Sequence, residues 1–192
     1  MLQPDNVLFQ AITQGNDEDT ENAVKEIASL GHGCLPAISE LLHSNEVDHR
    51  WWGVRTLAQL VDPPQELLIE SLEDKAEEVR QCALLAICHH PLKTALQPVM
   101  KLMHAKDGMT ANLAASALIA IGKDSIPDLL NELPGLNGYN RVEAFRTIAN
   151  LEDQACIPIL MKGLEEESIM VNYWSEEGLT RLGLDMVYMK PE

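Results

Sequence analysis

One helix-entry pattern returns six times along this chain, at a nearly fixed interval of 30 or 31 residues. Each copy is marked here by one residue, its anchor, and the anchors are Thr20, Arg50, Arg80, Ala111, Arg141 and Asn172. A period of this length is typical of stacked two-helix units, which bury their apolar faces against their neighbours. The period therefore predicts an all-α repeat fold.

Side-chain size, rather than residue identity, aligns the six copies. The third residue after each anchor is small: Ala23, Gly53, Ala83, Ala114, Ala144 and Ser175. The seventh is a large aliphatic: Ile27, Leu57, Ile87, Leu118, Ile148 and Leu179. The tenth is Leu30, Leu60, His90, Ile121, Leu151 and Leu182, with one histidine among the six. These offsets lie on one face of a helix, so the first helix of each unit is predicted to bury this face.

A second apolar stripe precedes every anchor. The twelfth and eighth residues before it are apolar in all six copies, from Leu8 and Ile12 to Leu160 and Leu164. This i, i+4 spacing predicts a second helix in each unit. Prolines, which are tolerated in the first turn of a helix, mark three of the expected starts: Pro36, Pro127 and Pro158.

The two stripes predict one domain over 1–192, with about five full repeats in 16–183. Half repeats are expected at both ends: a lone second helix in 1–15, and a lone first helix in 172–183 that is followed by a tail in 184–192. The tail is apolar and follows Gly183. Either it folds back over the last exposed core, or it inserts into a partner or into a second copy of the chain. Deleting it would separate these alternatives by its effects on stability and on self-association.

Three segments carry a family resemblance: RWWGVRTLAQL (50–60), VRQCALLAIC (79–88) and ANLAASALIAIG (111–122). They resemble bacterial HEAT repeats, and the short period is similar to the subtype first described in phycobilisome lyases. The resemblance implies a right-handed α-α superhelix, an armadillo-like helical solenoid with first helices on its convex side. Second helices would then line a concave groove. Proteins of this family include scaffolds, adaptors, chaperones and a few enzymes.

Charge excludes one enzyme class of this family. The chain carries 30 acidic and 14 basic side chains, a formal net charge of −16, and most of the excess lies in residues 1–79. Such a field repels a phosphate backbone, so neither nucleic-acid binding nor a HEAT-type DNA glycosylase is expected. The sequence also has no run of about 20 apolar residues and no signal-like N-terminus, which predicts a cytoplasmic protein without a membrane span.

Other catalytic chemistries lack their residues. Deoxyhypusine hydroxylases of the same superfamily bind iron through His-Glu dipeptides, and none of the six histidines here precedes Glu. His43, Glu73 and His104 share one register, but on successive helices about 8–10 Å apart they are too distant for one metal. The four cysteines are expected to be free, buried and unreactive. We therefore predict a protein that is not an enzyme and has no cofactor or metal.

A first candidate binding surface lies on the second helices. The tenth residue before the anchor changes from acidic to basic along the chain, through Glu40, Glu70, Lys101, Asn131 and Lys162. The adjacent register is mainly apolar: Ser39, Ile69, Met100, Leu130 and Met161. Its side chains either form the floor of the groove or belong to the core between repeats.

A second candidate is an aromatic edge on the first helices. Trp51–Trp52 and Tyr173–Trp174 occupy the same two positions after their anchors. The first residue after the anchor is mostly polar in the other copies, so Trp51 and Tyr173 are predicted to lie at the surface. Trp52 and Trp174 are predicted to lie between repeats. Arg55 follows Trp51 by one turn and is predicted to stack over its ring.

These features predict a scaffold or adaptor that binds another protein through the concave groove or the aromatic edge. The alternative, implied by the resemblance, is a chaperone or lyase-like subunit acting on a chromoprotein. The arginine anchors are assigned a structural role, since each is placed to pair with an acid of the neighbouring repeat.

Overall fold

The computed structural model describes residues 10–12 and 15–184. Within these residues the chain forms α-helices and short 3₁₀ turns, with no β-strand. Residues 10–12 are helical, as expected for the N-terminal cap. The tail beyond residue 184 lies outside the described residues, so both interpretations of it stay predictions.

Six first helices follow the predicted period. They are α1 (Asp17–Ser29), α3 (Val47–Leu57), α5 (Glu77–His89), α7 (Gly108–Ile121), α9 (Gly138–Leu151) and α11 (Ile169–Arg181). Every anchor is the fourth residue of its helix. The sequence pattern therefore located each helix start, because the anchor lies one turn inside it.

Five second helices alternate with them in the described part of the chain. They are α2 (Leu35–Leu42), α4 (Gln65–Ser71), α6 (Leu96–Leu102), α8 (Ile126–Glu132) and α10 (Ile157–Gly163). The three predicted proline starts are confirmed, since each proline is the second residue of its helix. A 3₁₀ turn leads into four of these helices, and α4 follows two prolines instead.

The two stripes form the core. All six small residues at the third offset and all six aliphatics at the seventh are buried. Small residues are required because the helices approach closely: a Cβ on Gly53 of α3 would lie 3.1 Å from the Cβ of Leu41 in α2. The prediction fails at Leu30, which is 50% exposed. This residue lies past the end of α1, and Gly31 follows with a φ of 56°, which turns the chain away.

The chain divides into two compact units, 1–98 and 99–192. In the first unit α3 lies between α1 and α5, while α2 packs on α3 and α4 packs on α5. In the second unit α9 lies between α7 and α11, and α10 packs on α11. Within each unit, consecutive first helices therefore pack on one another, and the second helices named here pack on the first helix that follows them.

Two arginine anchors link consecutive repeats, as predicted. Arg50 is buried, and its Nε and Nη2 donate to Asp74 at 2.7 and 3.0 Å, while its Nη1 donates to two backbone carbonyls. Arg141 Nε donates to Glu166 Oε2 at 2.9 Å. The prediction is wrong for Arg80, whose Nη1 donates instead to the backbone carbonyls of Asp74 and Lys75.

The environment of Asp74 shows how this contact works electrostatically. Burial raises the pKa of Asp74, but the hydrogen bonds from Arg50 and from the backbone N–H of Ala76 outweigh it, so the net pKa is lowered. The same hydrogen bond raises the pKa of Arg50. The pair therefore stays ionised and fixes the second repeat to the third.

Ser175 of α11 is the exception among the small core residues. Its hydroxyl is buried and has no hydrogen-bond partner among the described residues. Replacement by alanine, the residue found at this offset in four other repeats, should raise the free energy of unfolding by about 1–2 kcal/mol. Urea denaturation would measure this change.

Ser116→Ala in α7 is the matched control for that measurement. The Ser116 hydroxyl donates to the carbonyl of Asn112 at 3.0 Å, so its removal should lower stability by about 0.5–1 kcal/mol. A loss of stability in the Ser175→Ala variant would contradict the assignment of an unsatisfied hydroxyl.

Candidate protein-binding site

A pocket of about 610 Å³ opens at the surface between α1 and α3. Its lining side chains are Asp17, Glu18 and Glu21 of α1 and Asp48, Trp51 and Trp52 of α3. We call it the tryptophan pocket. One wall is thus acidic, and the other carries an aromatic pair and a further carboxylate.

Local helix chemistry positions the acidic wall. Asp17 and Glu18 lie in the first turn of α1, and Asp48 lies in the first turn of α3. Carboxylates at these positions complement the positive end of the helix by about 0.3–1 kcal/mol each. The side chain of Asn16 caps α1 by accepting from the backbone N–H of Asp19 at 3.0 Å. Because α1 packs on α3, the two acidic turns lie beside one pocket.

The aromatic wall is a pair of adjacent indoles. The ring centroids of Trp51 and Trp52 are 4.8 Å apart and the planes are 89° apart, an edge-to-face arrangement. Both side chains are half-buried. Trp51 was predicted at the surface and Trp52 between repeats, and the structure places both at the border of the pocket. Part of each indole is therefore available to a ligand.

The predicted stacking of Arg55 over Trp51 is corrected by the structure. The Arg55 guanidinium donates instead to the carboxylate of Glu21, on the neighbouring helix α1. An ion pair with good geometry outcompetes a local stacking contact on an exposed helix face. Among the described residues, the cation–π contact is formed elsewhere, by Arg141 over Phe145 at 5.4 Å.

This ion pair determines the charge that remains in the tryptophan pocket. Arg55 compensates Glu21, whereas Asp17, Glu18 and Asp48 have no ion-pair partner within the described part of the chain. None of the lining side chains is basic. The lining of the tryptophan pocket is therefore acidic and aromatic.

The second aromatic pair lies in the other unit and has different surroundings. Tyr173 and Trp174 of α11 have ring centroids 5.1 Å apart, and Tyr173 is 50% exposed, as predicted. The first turn of α11 contains no acidic residue. The two aromatic pairs share a register but not an electrostatic environment.

The charged residues predicted on the second helices are at the surface. The exposed set is Glu40, Glu70, Lys101, Asn131 and Lys162. In the adjacent register Met100 is buried, with 3% of its surface exposed, whereas Ile69, Leu130 and Met161 are half-buried. Met100 therefore belongs to the core, and the binding role of the exposed set stays a prediction.

Nucleophilic chemistry is disfavoured at the cysteines. Cys34, Cys82 and Cys156 are buried, and all four cysteines are free. Burial raises the pKa of Cys82 to about 12, so its thiol stays protonated at neutral pH. In the part of the chain that the structure describes, no group of three or more His, Cys, Asp or Glu side chains is placed to hold a metal ion.

Sequence reasoning named the aromatic wall of the tryptophan pocket but not its acidic wall. It placed Trp51 on an aromatic edge and did not relate that edge to the acids of the preceding repeat. The missed signal is a relation between repeats: an acidic first turn in one repeat is followed by aromatic residues in the next. Only packing of α1 on α3 brings them together.

The sequence matches no protein-family model and no curated protein sequence. Solved structures do match. The complex of CpcE and CpcF of phycocyanin lyase from Nostoc sp. PCC7120 is 19% identical, covers 73% of this chain and 95% of that chain, and has a TM-score of 0.59. The fold is that of a HEAT-like helical repeat protein.

Two further matches extend over more of the chain. A designed armadillo repeat protein in complex with the peptide (KR)4 is 19% identical, covers 91% of this chain and 98% of that chain, and has a TM-score of 0.53. An engineered protein is also 19% identical, covers 91% and 96%, and has a TM-score of 0.56. The predicted all-α helical solenoid is thus confirmed.

One finding bears on the predicted absence of a membrane span. Across residues 10–12 and 15–184, every helix is too short or too polar to cross a bilayer.

Proposed function

We propose that this chain is a non-enzymatic scaffold that binds another protein, with the tryptophan pocket as the main contact. The single observation that supports this most is the pair of half-buried indoles beside a pocket of about 610 Å³. Tryptophan is enriched among the residues that dominate binding energy at protein interfaces. A repeat fold also supplies an extended surface for a partner.

The aromatic edge is favoured over the row of charged residues on the second helices. Glu40, Glu70 and Lys162 are exposed, and their register contains no aromatic side chain that could anchor a partner. They influence instead the rate and orientation of encounter. The second-helix row is therefore proposed as a secondary surface, and Trp51 as the energetic centre.

The similarity to the two kinds of repeat protein supports a protein or peptide ligand. One of the matched proteins was determined as a complex of two different chains, and another holds the peptide (KR)4. Together with the formal net charge of −16, this favours a protein partner over nucleic acid. The raised pKa of the buried thiols and the lack of a recognisable catalytic string support a function without catalysis.

The test is a pull-down from the native source with the full chain as bait. Trp51→Ala should reduce recovery of the specific partner by tenfold or more, since truncation of a central interface tryptophan costs about 2 kcal/mol or more. Circular dichroism melting should show that the variant is folded. Quantitative mass spectrometry of the eluate measures the recovery.

Tyr173→Ala and a Glu40→Ala/Glu70→Ala double variant are the matched controls. Recovery that survives Trp51→Ala and is lost in the double variant would contradict the tryptophan pocket and assign binding to the second helices. Recovery that is lost only with Tyr173→Ala would assign it to the other aromatic pair.

A second candidate function is supported by the match to the phycocyanin lyase complex. In this case the chain is a chaperone or lyase-like subunit that holds a chromoprotein. An absorption spectrum of the eluted complex distinguishes the two candidates, because a bound bilin absorbs visible light. A colourless complex with an unrelated protein would contradict this second candidate.

A further inference from the structure

We infer that the tryptophan pocket binds an arginine or lysine side chain from a basic segment of the partner protein. This inference rests on the proposed function and deepens it, since it names the chemistry that the partner must present. The tryptophan pocket combines a carboxylate cluster, half-buried indoles and a cavity in one place.

The charge of the tryptophan pocket selects the sign of the ligand. Asp17, Glu18 and Asp48 line one cavity without a basic neighbour among its lining side chains, and Arg55 is engaged by Glu21. A cation that enters the pocket is attracted by these carboxylates, whereas an anion is repelled. Helix stabilisation explains why acids occur in each first turn. It does not explain why the two acidic turns share a cavity with tryptophan.

The indoles select the shape of the ligand. A cation over the face of tryptophan gains about 0.5–1 kcal/mol at an exposed site and about 2 kcal/mol when it is desolvated. A guanidinium is planar, so it stacks on an indole while its N–H groups donate to carboxylates. An ammonium satisfies the charge but not the stacking. The tryptophan pocket should therefore prefer arginine to lysine.

Other occupants fit the same surface less well. A second copy of this chain also carries a formal net charge of −16, so long-range repulsion opposes it. An apolar segment would bury Asp17, Glu18 and Asp48 without a compensating charge. A basic segment satisfies both the charge and the aromatic surface.

The experiment uses the full chain and three synthetic octapeptides: alternating Lys and Arg, all Lys, and alternating Asp and Glu. Isothermal titration calorimetry at about 50 mM salt should detect binding of both basic peptides and none of the acidic one. The Lys-Arg peptide should bind several-fold more tightly than the Lys peptide. Higher salt, about 500 mM, should weaken binding while leaving an aromatic contribution.

Substitutions locate the binding. Asp17→Asn/Glu18→Gln should weaken the Lys-Arg peptide by about fivefold or more. The matched control, Glu165→Gln/Glu167→Gln, removes the same charge from exposed side chains of the other unit and should change affinity by less than twofold. Equal weakening by both double variants would overturn the inference, because binding would then follow net charge alone.

The tryptophan itself is tested by shape and by electronic character. Trp51→Leu keeps an apolar side chain without an aromatic face and should lose about fivefold in affinity, whereas Trp51→Phe should keep most of it. Circular dichroism checks that each variant folds. Equal affinity of the wild type and the Trp51→Leu variant would overturn the cation–aromatic contact.

The two proposals fail in different ways. A native partner that depends on Trp51, but is not displaced by the Lys-Arg peptide, would overturn this inference and leave the proposed function standing. Displacement of the partner by the basic peptide and not by the acidic one is the result expected. If the Trp51→Ala variant still binds both the native partner and the Lys-Arg peptide as the wild type does, both proposals are overturned.

Discussion

Replacing Arg50 with alanine is expected to lower the free energy of unfolding by about 3 kcal/mol, the low end of the range for breaking a buried ion pair. The Arg50 side chain is 5% exposed and donates to Asp74 and to the carbonyls of Ser44 and Asn45. Its removal leaves the two carbonyls without this donor, and Asp74 keeps only the hydrogen bond from the backbone N–H of Ala76. The Asp74 side chain is 14% exposed and can rehydrate in part, which limits the loss.

Arg80→Ala is the control at the same position of the next repeat. Arg80 donates to backbone carbonyls and has more contact with water, so its loss should cost about 1 kcal/mol. Urea unfolding followed by circular dichroism compares the two variants. Equal losses would show that the carboxylate of Asp74 adds nothing to the hydrogen bonds that both arginines donate to backbone carbonyls.

Replacing Phe145 with alanine should cost about 3–5 kcal/mol, the usual range for a fully buried phenylalanine. Phe145 of α9 is 0% exposed, and Arg141 lies over its ring. Its ring also occupies the space left by Gly163 of α10, where an added Cβ would lie 2.4 Å from the Cε1 atom of Phe145. Truncation would leave a cavity that the backbone of Gly163 cannot fill.

Ile169→Ala is the control in the same unit, because Ile169 is 82% exposed and should lose less than about 0.5 kcal/mol. Thermal and urea unfolding both measure the difference. A small loss for Phe145→Ala would mean that α9, α10 and α11 collapse around the vacated space.

Most of the helical framework follows from the sequence because burial on a helix repeats at fixed offsets. The small residue at the third offset and the aliphatic at the seventh are buried in every repeat. The prediction was less secure where a residue lies beyond the helix, because periodicity no longer applies there. Leu30 was predicted to be buried on periodicity alone, and the turn at Gly31 exposes it.

The tryptophan pocket could be predicted only in pieces. Residues four apart on one helix are neighbours by geometry, so the sequence predicts that the guanidinium of Arg55 stacks on the ring of Trp51. Whether Arg55 contacts Trp51 or Glu21 depends on the distance between α1 and α3, and rules for a single helix do not give that distance. Contacts within a helix are therefore accessible from sequence, whereas competition between two helices for one side chain is not.

The same reasoning separates the arginine anchors. Arg50, Arg80 and Arg141 look equivalent in the sequence. Their partners depend on the loop that follows the second helix of the repeat, because this loop does or does not supply a carboxylate. Asp74 lies within reach of the guanidinium of Arg50, and Glu166 lies within reach of that of Arg141, while Arg80 reaches only carbonyls. A recurrent residue type thus predicted a structural role without predicting each partner.

Because the apolar stripes of the repeats are nearly identical, a helical hairpin could dock against the wrong repeat during folding. The ion pair between Arg50 and Asp74 makes this error less favourable. A hairpin that docked one repeat out of place during folding would bury almost the same apolar area, so hydrophobic contact alone discriminates poorly against the error. The guanidinium would then be left in a dehydrated environment without its carboxylate, at a cost of several kcal/mol. In the first unit the contact between Arg50 and Asp74 therefore penalises incorrect assembly as well as stabilising the native arrangement.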